Sequence, residues 1–279
     1  MRITLTALQK AVHDGSRVAM LTCYDASFAA LLDNAAVDSL LIGDSLGNVI
    51  QGHDSTLPVT LDDMIYHTRC VVRGAKRAFI ISDMPFGSYQ LSPAQAFENA
   101  ARLMAAGAQM VKLEGGAVMA ETVAFLTSRG VPVCGHLGLT PQSVHQLGGY
   151  RVQAREEAAA RRLVDDAELL SQAGAAMIGL EAVPTKNVEP YHVFLRAHQL
   201  LESVSFSRED QERGISLLEE ACARDPDFLR AHAELAKAHA GFIHFAWDAS
   251  EERLARAKSA ADRALAIDPD SPWAQLGLG

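Results

Sequence analysis

The sequence predicts an α/β fold of the (β/α)8 barrel type (TIM-barrel type), cut to six βα units and followed by an all-α, repeat-like segment. Three observations predict it. Between residues 17 and 181, short apolar runs alternate with helical stretches, the rhythm of right-handed βαβ units around a parallel sheet. Most of these runs end in a polar or charged residue, which suits a barrel whose site lies at the C-terminal rim of its strands. No G-x-G-x-x-G follows the first run, which weakens the alternative, a doubly wound dinucleotide fold.

The elements follow in order. Residues 1–16 read as a short lead-in helix, LTALQKAVHDG, closed by Gly15. Arg17 to Cys23 is the first strand run, and Asp25 is a plausible N-cap for a helix through Leu32. Asp38 to Ser45 is the second strand, followed by a glycine-bearing loop, Gly43 to Thr60. Leu61 to Arg73 reads as a helix with Asp62 and Asp63 in its first turn, where they oppose the helix dipole. Ala78 to Asp83 is the third strand. Ser92-Pro93 opens the next helix as N-cap and first helical residue, and Gly107 stops it.

Met110 to Gly116 is the fourth strand, ending in its glycines. Side chains alternate along a strand, so Met110, Lys112 and Glu114 share one face and Val111 and Leu113 the other. A lysine and a carboxylate buried there are costly unless paired or used. Val118 to Ser128 is a helix, Val131 to His136 the fifth strand, and LGLTPQSVHQLGGY a loop. Arg155 to Ala173 is an amphipathic helix, and Ala176 to Glu181 the sixth strand.

After Pro184 the remainder reads as helical, which divides the chain into a barrel-type segment, 1–186, and a helical segment, 187–279. Residues 214–226 and 257–269 match each other, and both end in Asp-Pro. Ala231 and Leu235 correspond to Ala274 and Leu278. The offset of 43 residues exceeds the period of about 34 in tetratricopeptide repeats. An insertion around Phe245-Ala246-Trp247-Asp248 accommodates the excess. A generic Ala/Leu-rich helical bundle accounts for the pattern equally well.

A chain of 279 residues with 49% hydrophobic content and a mean hydropathy of +0.05 suits a soluble protein with a sizeable core. A net charge of −9 argues against a nucleic-acid-binding surface. Cys23, Cys70, Cys134 and Cys222 are scattered, so neither a disulfide nor a zinc site is expected. There is no signal-peptide pattern and no apolar run long enough to span a bilayer, and a cytoplasmic location is the expectation.

The strand ends collect the chemistry. They carry Asp44 and Ser45, Asp83, Lys112 and Glu114, His136, and Glu181. Each has an ordinary explanation as a turn residue, a cap or a satisfied core histidine. Five strand ends on one rim make coincidence the poorer account. Asp44, Asp83 and Glu114, with no cysteine nearby, suit a hard cation such as Mg²⁺. Such an ion would chelate a 2-oxo acid and stabilise its enolate. Lys112 would meet the substrate carboxylate, and Ser45 would donate a hydrogen bond to it. Spacing does not separate a ligand carboxylate from a base carboxylate, so the role of Glu181 stays open at this point.

Residues 1–184 closely resemble the ketopantoate hydroxymethyltransferase family. The segments LTCYD, IGDSLGNVIQGHDSTLPVT, SDMPFGSY, AFENAARLMAAGAQMVKLEGG, VPVCGHLGLTPQS and LEAVP carry the resemblance. It implies a (β/α)8 barrel that transfers a hydroxymethyl group from 5,10-methylenetetrahydrofolate to 3-methyl-2-oxobutanoate, giving 2-dehydropantoate for pantothenate synthesis. By that resemblance Asp44, Asp83 and Glu114 serve the magnesium, and Asp44, Ser45, Asp83 and Lys112 contact the oxo acid. Glu181 is the proton acceptor, and His136 is a substrate-site residue. The resemblance also implies a homo-oligomer.

The family's last two βα units find no counterpart after Glu181, and the seam falls near Pro184–Glu189. Two readings from different classes follow. In one, the chain is a magnesium-dependent hydroxymethyltransferase acting on small molecules. In the other, it is a fusion whose barrel half is inactive and whose helical repeats bind a protein partner.

Overall fold

The computed structural model describes residues 2–184, 189–201 and 207–276. They fall into two compact units, Met1–Val183 and Pro184–Gly279.

The first unit is built on a six-stranded sheet. The strands are β1 (Met20–Thr22), β2 (Ser39–Ile42), β3 (Phe79–Asp83), β4 (Met110–Glu114), β5 (Val133–Gly138) and β6 (Met177–Glu181). All neighbours pair in parallel, and their spatial order is their sequence order. This is the arrangement of an open, curled half-barrel, in which each crossover carries the chain one strand further round. No strand follows β6 among the described residues, so β1 and β6 are free edges there.

The crossovers are helical: α2 (Ala26–Asn34), α4 (Leu61–Gly74), α5 (Pro93–Ala106), α6 (Ala120–Thr127) and α8 (Glu157–Gln172). Their starts follow the capping chemistry of the sequence. The Asp25 carboxylate accepts from the backbone N–H groups of Ser27 and Phe28. Thr60 and Asp63 form a reciprocal capping box on α4, and Ser92 with Pro93 opens α5. Removing such a cap costs about 1 kcal/mol.

Alternation along the strands divides the inner face of the sheet into two layers. Leu41, Phe79, Ile81, Met110, Cys134 and Met177 form an apolar lower layer, closed by Leu8 of the lead-in helix α1 (Leu5–His13). Two positions further along the same strands stand Asp83, Lys112 and His136. The opposite face carries Ile80, Val111, Leu113 and Val133, all fully buried. Each such side chain contributes roughly 1.5–3 kcal/mol relative to an exposed one. A parallel sheet is covered on both faces, and the central strands here meet that condition.

Several boundaries depart from the sequence expectation. The first strand, expected over 17–23, pairs only at Met20–Thr22, because β2 is its sole neighbour. The stretch expected as a loop after β2 contains a short helix, α3 (Leu46–Val49). Its first turn closes by N–H bonds from Gly47 to Asp44 and from Asn48 to Ser45, local bonds that a strand-and-loop pattern does not reveal. The fifth strand runs on to Gly138, and the loop after it holds a 3-10 turn at Pro141–Ser143 and a short helix, α7 (Val144–Leu147).

The second unit is helical among its described residues: α9 (Glu189–Leu201), α10 (Arg208–Arg224), α11 (Leu229–His244), α12 (Glu251–Ile267) and α13 (Pro272–Leu276). α10 packs on both α9 and α11, and α11 on α12. The residue match becomes a match of structure. α10 and α12 are each 17 residues long. Ser207 and Ser250 cap them alike, accepting from the N–H groups of Asp210 and Arg253. Asp225 and Asp268 end them alike. Residues 185–188 of the expected seam, and Leu278 of the expected repeat, lie outside the described residues. No described helix is long and apolar enough to cross a membrane. The four cysteines are free thiols, Cys23 and Cys134 buried.

Candidate active site

The parallel register sets the polar residues side by side. Asp83 pairs with Lys112, Glu114 with His136, and Gly138 with Glu181. Asp44 enters from the turn after β2, where its backbone N–H donates to Asp83 Oδ2 at 3.0 Å. A Cβ at Gly43 would crowd Ser45 Oγ and displace that hydroxyl. A side chain at Gly138 would likewise strike the Glu181 carbonyl, and its φ of +86° lies in the left-handed region.

Lys112 Nζ lies 2.9 Å from Asp83 Oδ1, and both side chains are buried. The ammonium is the only partner of Asp83 Oδ1 among the described residues. Burial works against the lysine's charge, but Asp83, Glu114 and Asp44 outweigh it and hold the ammonium above its ordinary range. Burial first, then the neighbouring Asp83, pushes the Asp44 carboxyl up to about 7. Burial pushes Asp83 upward too, and the Lys112 ammonium beside it works the other way.

His136 bridges two carboxylates. Its Nδ1 stands 3.1 Å from Glu114 Oε1 and its Nε2 3.3 Å from Glu181 Oε2. Burial opposes its charge, but the hydrogen bonds to Glu114 and Glu181 prevail and raise its pKa. Lys112 Nζ, 3.4 Å from the same Nδ1, is a like-charged neighbour that those carboxylates offset. Glu181 differs from the rest of the row in being 48% exposed at its side chain. The hydrogen bond from His136 holds its carboxyl below the ordinary range, so it is ionised near neutral pH.

Ser45 lies at the N-terminal end of α3 with its Oγ 2.8 Å from the Tyr24 hydroxyl. All the strand-end residues singled out in the sequence therefore fall on one rim. Three more belong with them that the sequence reading passed over: Tyr24, Tyr89 and Gln142. The Gln142 amide donates to Asp44 Oδ2 at 2.8 Å and accepts from the Tyr89 hydroxyl at 2.7 Å. All three lie inside the segments LTCYD, SDMPFGSY and VPVCGHLGLTPQS, but nothing local marks their partners, which are 21 to 98 residues away.

A divalent cation fits part of this donor set. Asp83 Oδ1 is a buried oxygen without a hydrogen-bond partner, and Asp44 Oδ1 accepts none among the described residues. Glu114 is different, because Oε1 is held by His136 and Oε2 accepts from the Gln142 backbone N–H at 3.0 Å. No described cluster of three His, Cys, Asp or Glu residues has the geometry of a direct cage. Two carboxylates with water and substrate oxygens are an ordinary arrangement for magnesium.

A cavity of about 410 Å³ lies in the helical unit, lined by Cys222, His232, His239, Arg256 and Arg263 among others. Its arginines already pair with Glu219, Glu252 and Asp227, and it holds no comparable row of carboxylates. The strand ends, not this cavity, are the candidate catalytic centre.

Comparison with known proteins bears on the same residues. The family model for ketopantoate hydroxymethyltransferase matches residues 2–189. The 3-methyl-2-oxobutanoate hydroxymethyltransferase of Dechloromonas aromatica is 69% identical over 183 residues, which is 66% of this chain and 67% of that protein. The enzyme of the same name from Azoarcus sp. is 70% identical over 182 residues, 65% of this chain and 67% of its own. Among solved structures, a phosphonopyruvate hydrolase aligns with a TM-score of 0.51 at 14% identity, covering 96% of this chain and 99% of that one. At that identity the likeness is one of fold.

Proposed function

The chain belongs to the ketopantoate hydroxymethyltransferase family, a family of transferases, and on that premise we propose that it moves a hydroxymethyl group from 5,10-methylenetetrahydrofolate to 3-methyl-2-oxobutanoate. The product is 2-dehydropantoate, and the transfer consumes one water and releases tetrahydrofolate. The observation that carries this reading is the continuous row Asp44–Asp83–Lys112–Glu114–His136–Glu181, which joins a buried acid–lysine cluster to an ionised carboxylate through one imidazole.

Asp44 would hold the magnesium through Oδ1 and Asp83 through Oδ1, the oxygen it shares with Lys112, with Glu114 acting through water. Bound there, the ion supplies a positive charge for the oxygens of the oxo acid. Lys112, fixed by Asp83, meets the substrate carboxylate. Ser45, oriented by Tyr24, donates a hydrogen bond beside it. Glu181 accepts the proton from C3 of the oxo acid, and the carbanion so formed attacks the methylene carbon of the folate. His136 steadies Glu181 before the transfer and, tied to Glu114 on its other side, keeps its tautomer and direction.

Purified full-length chain with magnesium and both substrates should form 2-dehydropantoate. Without folate, the chain should exchange the C3 proton of the oxo acid into D2O, and Glu181→Gln should stop both. A folded sample that neither exchanges nor turns over at any magnesium concentration overturns the proposal.

For the helical unit, the matched caps and ends of α10 and α12 support a tetratricopeptide-like, protein-binding module. Co-sedimentation of a partner with the full chain, lost on substituting exposed residues of α10 and α12, is its test.

A further inference from the structure

We propose that Gln142 is the positioning residue of the acid cluster, selecting which oxygen of Asp44 faces a bound cation. The inference rests on the site reading above and extends it to a residue outside the row. Gln142 is buried, and the hydrogen-bonding capacity of its side-chain amide is fully used. Nε2 donates to Asp44 Oδ2 at 2.8 Å and to the Met84 carbonyl at 2.9 Å. Oε1 accepts from the Tyr89 hydroxyl at 2.7 Å and from Gln90 Nε2 at 3.2 Å. Its backbone N–H donates to Glu114 Oε2 at 3.0 Å.

The surrounding acceptors fix how the amide is turned. The Tyr89 hydroxyl accepts from the Glu114 backbone N–H at 3.0 Å and has two acceptors for its own proton, of which Gln142 Oε1 at 2.7 Å is nearer than the Glu114 carbonyl at 3.3 Å. A flipped amide would set its oxygen against Asp44 Oδ2 and the Met84 carbonyl, two acceptors. A glutamate here would do the same, and an apolar residue would leave a buried carboxylate oxygen unsatisfied. The contacts also close a ring: Glu114 backbone to Tyr89, Tyr89 to Gln142, and Gln142 backbone to the Glu114 carboxylate. Through it the orientation of Glu114 is tied to that of Asp44, although no direct bond joins them among the described residues. Asp44 Oδ2 is thereby committed, and Oδ1 is the oxygen left for a cation.

Calorimetric titration of the full chain with magnesium chloride tests this. Gln142→Met should weaken magnesium binding about 10–100-fold, the usual cost of losing a residue that orients a metal ligand. Activity should return at saturating magnesium, which a general folding defect would not allow. Tyr89→Phe should weaken binding in the same direction, and the double variant should be no worse than Gln142→Met alone, since both act through one amide. If Gln142→Met does not fold, Tyr89→Phe decides by itself. Magnesium affinity within about twofold of the parent in a folded variant overturns the inference while the site reading stands. A parent chain that takes up no magnesium overturns both.

Discussion

The central strands and the edge strands of the sheet are built from similar residues and end in opposite conditions. Across β3 and β4 every residue is buried, and so are Asp83, Lys112 and Glu114 at their ends. On β1, Met20 and Leu21 are 40% and 47% exposed, and Phe28 on the following helix is 62% exposed. On β6 the pattern is half-buried, ending in exposed Glu181. The difference is one of neighbours. A parallel strand covered on both sides can hold charges fixed and dry, whereas an edge strand leaves its backbone and alternate side chains to water. The proposed chemistry divides the same way: the groups that grip cation and oxo acid sit on covered strands, and the base sits on an uncovered one.

The largest expected effect comes from the edge. Glu181→Gln should lower turnover by about 10²–10⁴-fold, the range for loss of a general base. Its stability in denaturant should stay within about 0.5 kcal/mol of the parent, because the side chain is half exposed. A large loss of stability would show that the base is as embedded as the central row.

Next comes the centre. Lys112→Met strips the counter-charge from buried Asp83 and should cost about 3–5 kcal/mol in chemical denaturation. A smaller cost would mean that water reaches the central strand ends.

The pH dependence should distinguish the regions further. His136 has a raised pKa in the folded chain, so its stabilising contribution is complete below its ordinary value of about 6.5. It is lost as pH rises through the raised value. Denaturant midpoints measured across that range should fall for the parent and flatten for His136→Gln. The smallest effect belongs to Leu21→Arg on the bare edge, within about 0.5 kcal/mol by thermal unfolding. A loss as large as that of a core substitution would show that the edge is covered in solution.

Much of this was legible in residue order. Lys112 and Glu114 are two apart on one strand, so period-two alternation alone places them on one face. The strand carrying them starts where it was read to start, at Met110, and stops at Glu114, just before the glycines that were read as its end. The ends of β1 and β5 were misread because pairing, not composition, determines where a strand stops. Gln142, Tyr89 and Tyr24 were passed over for a related reason. Their roles exist only across gaps in the chain, and a glutamine after a proline looks like any turn.

Alone, the sequence determined that five of six apolar runs would end in a shared set of acids, a lysine and a histidine. It did so because strand period and cap chemistry act over a few residues. Which of those groups became buried partners, which oxygen was left open, and which carboxylate stayed in water was decided by the tertiary structure. Those outcomes depend on strand register and on how many neighbours each strand acquires, and both are set by packing between residues far apart in the chain.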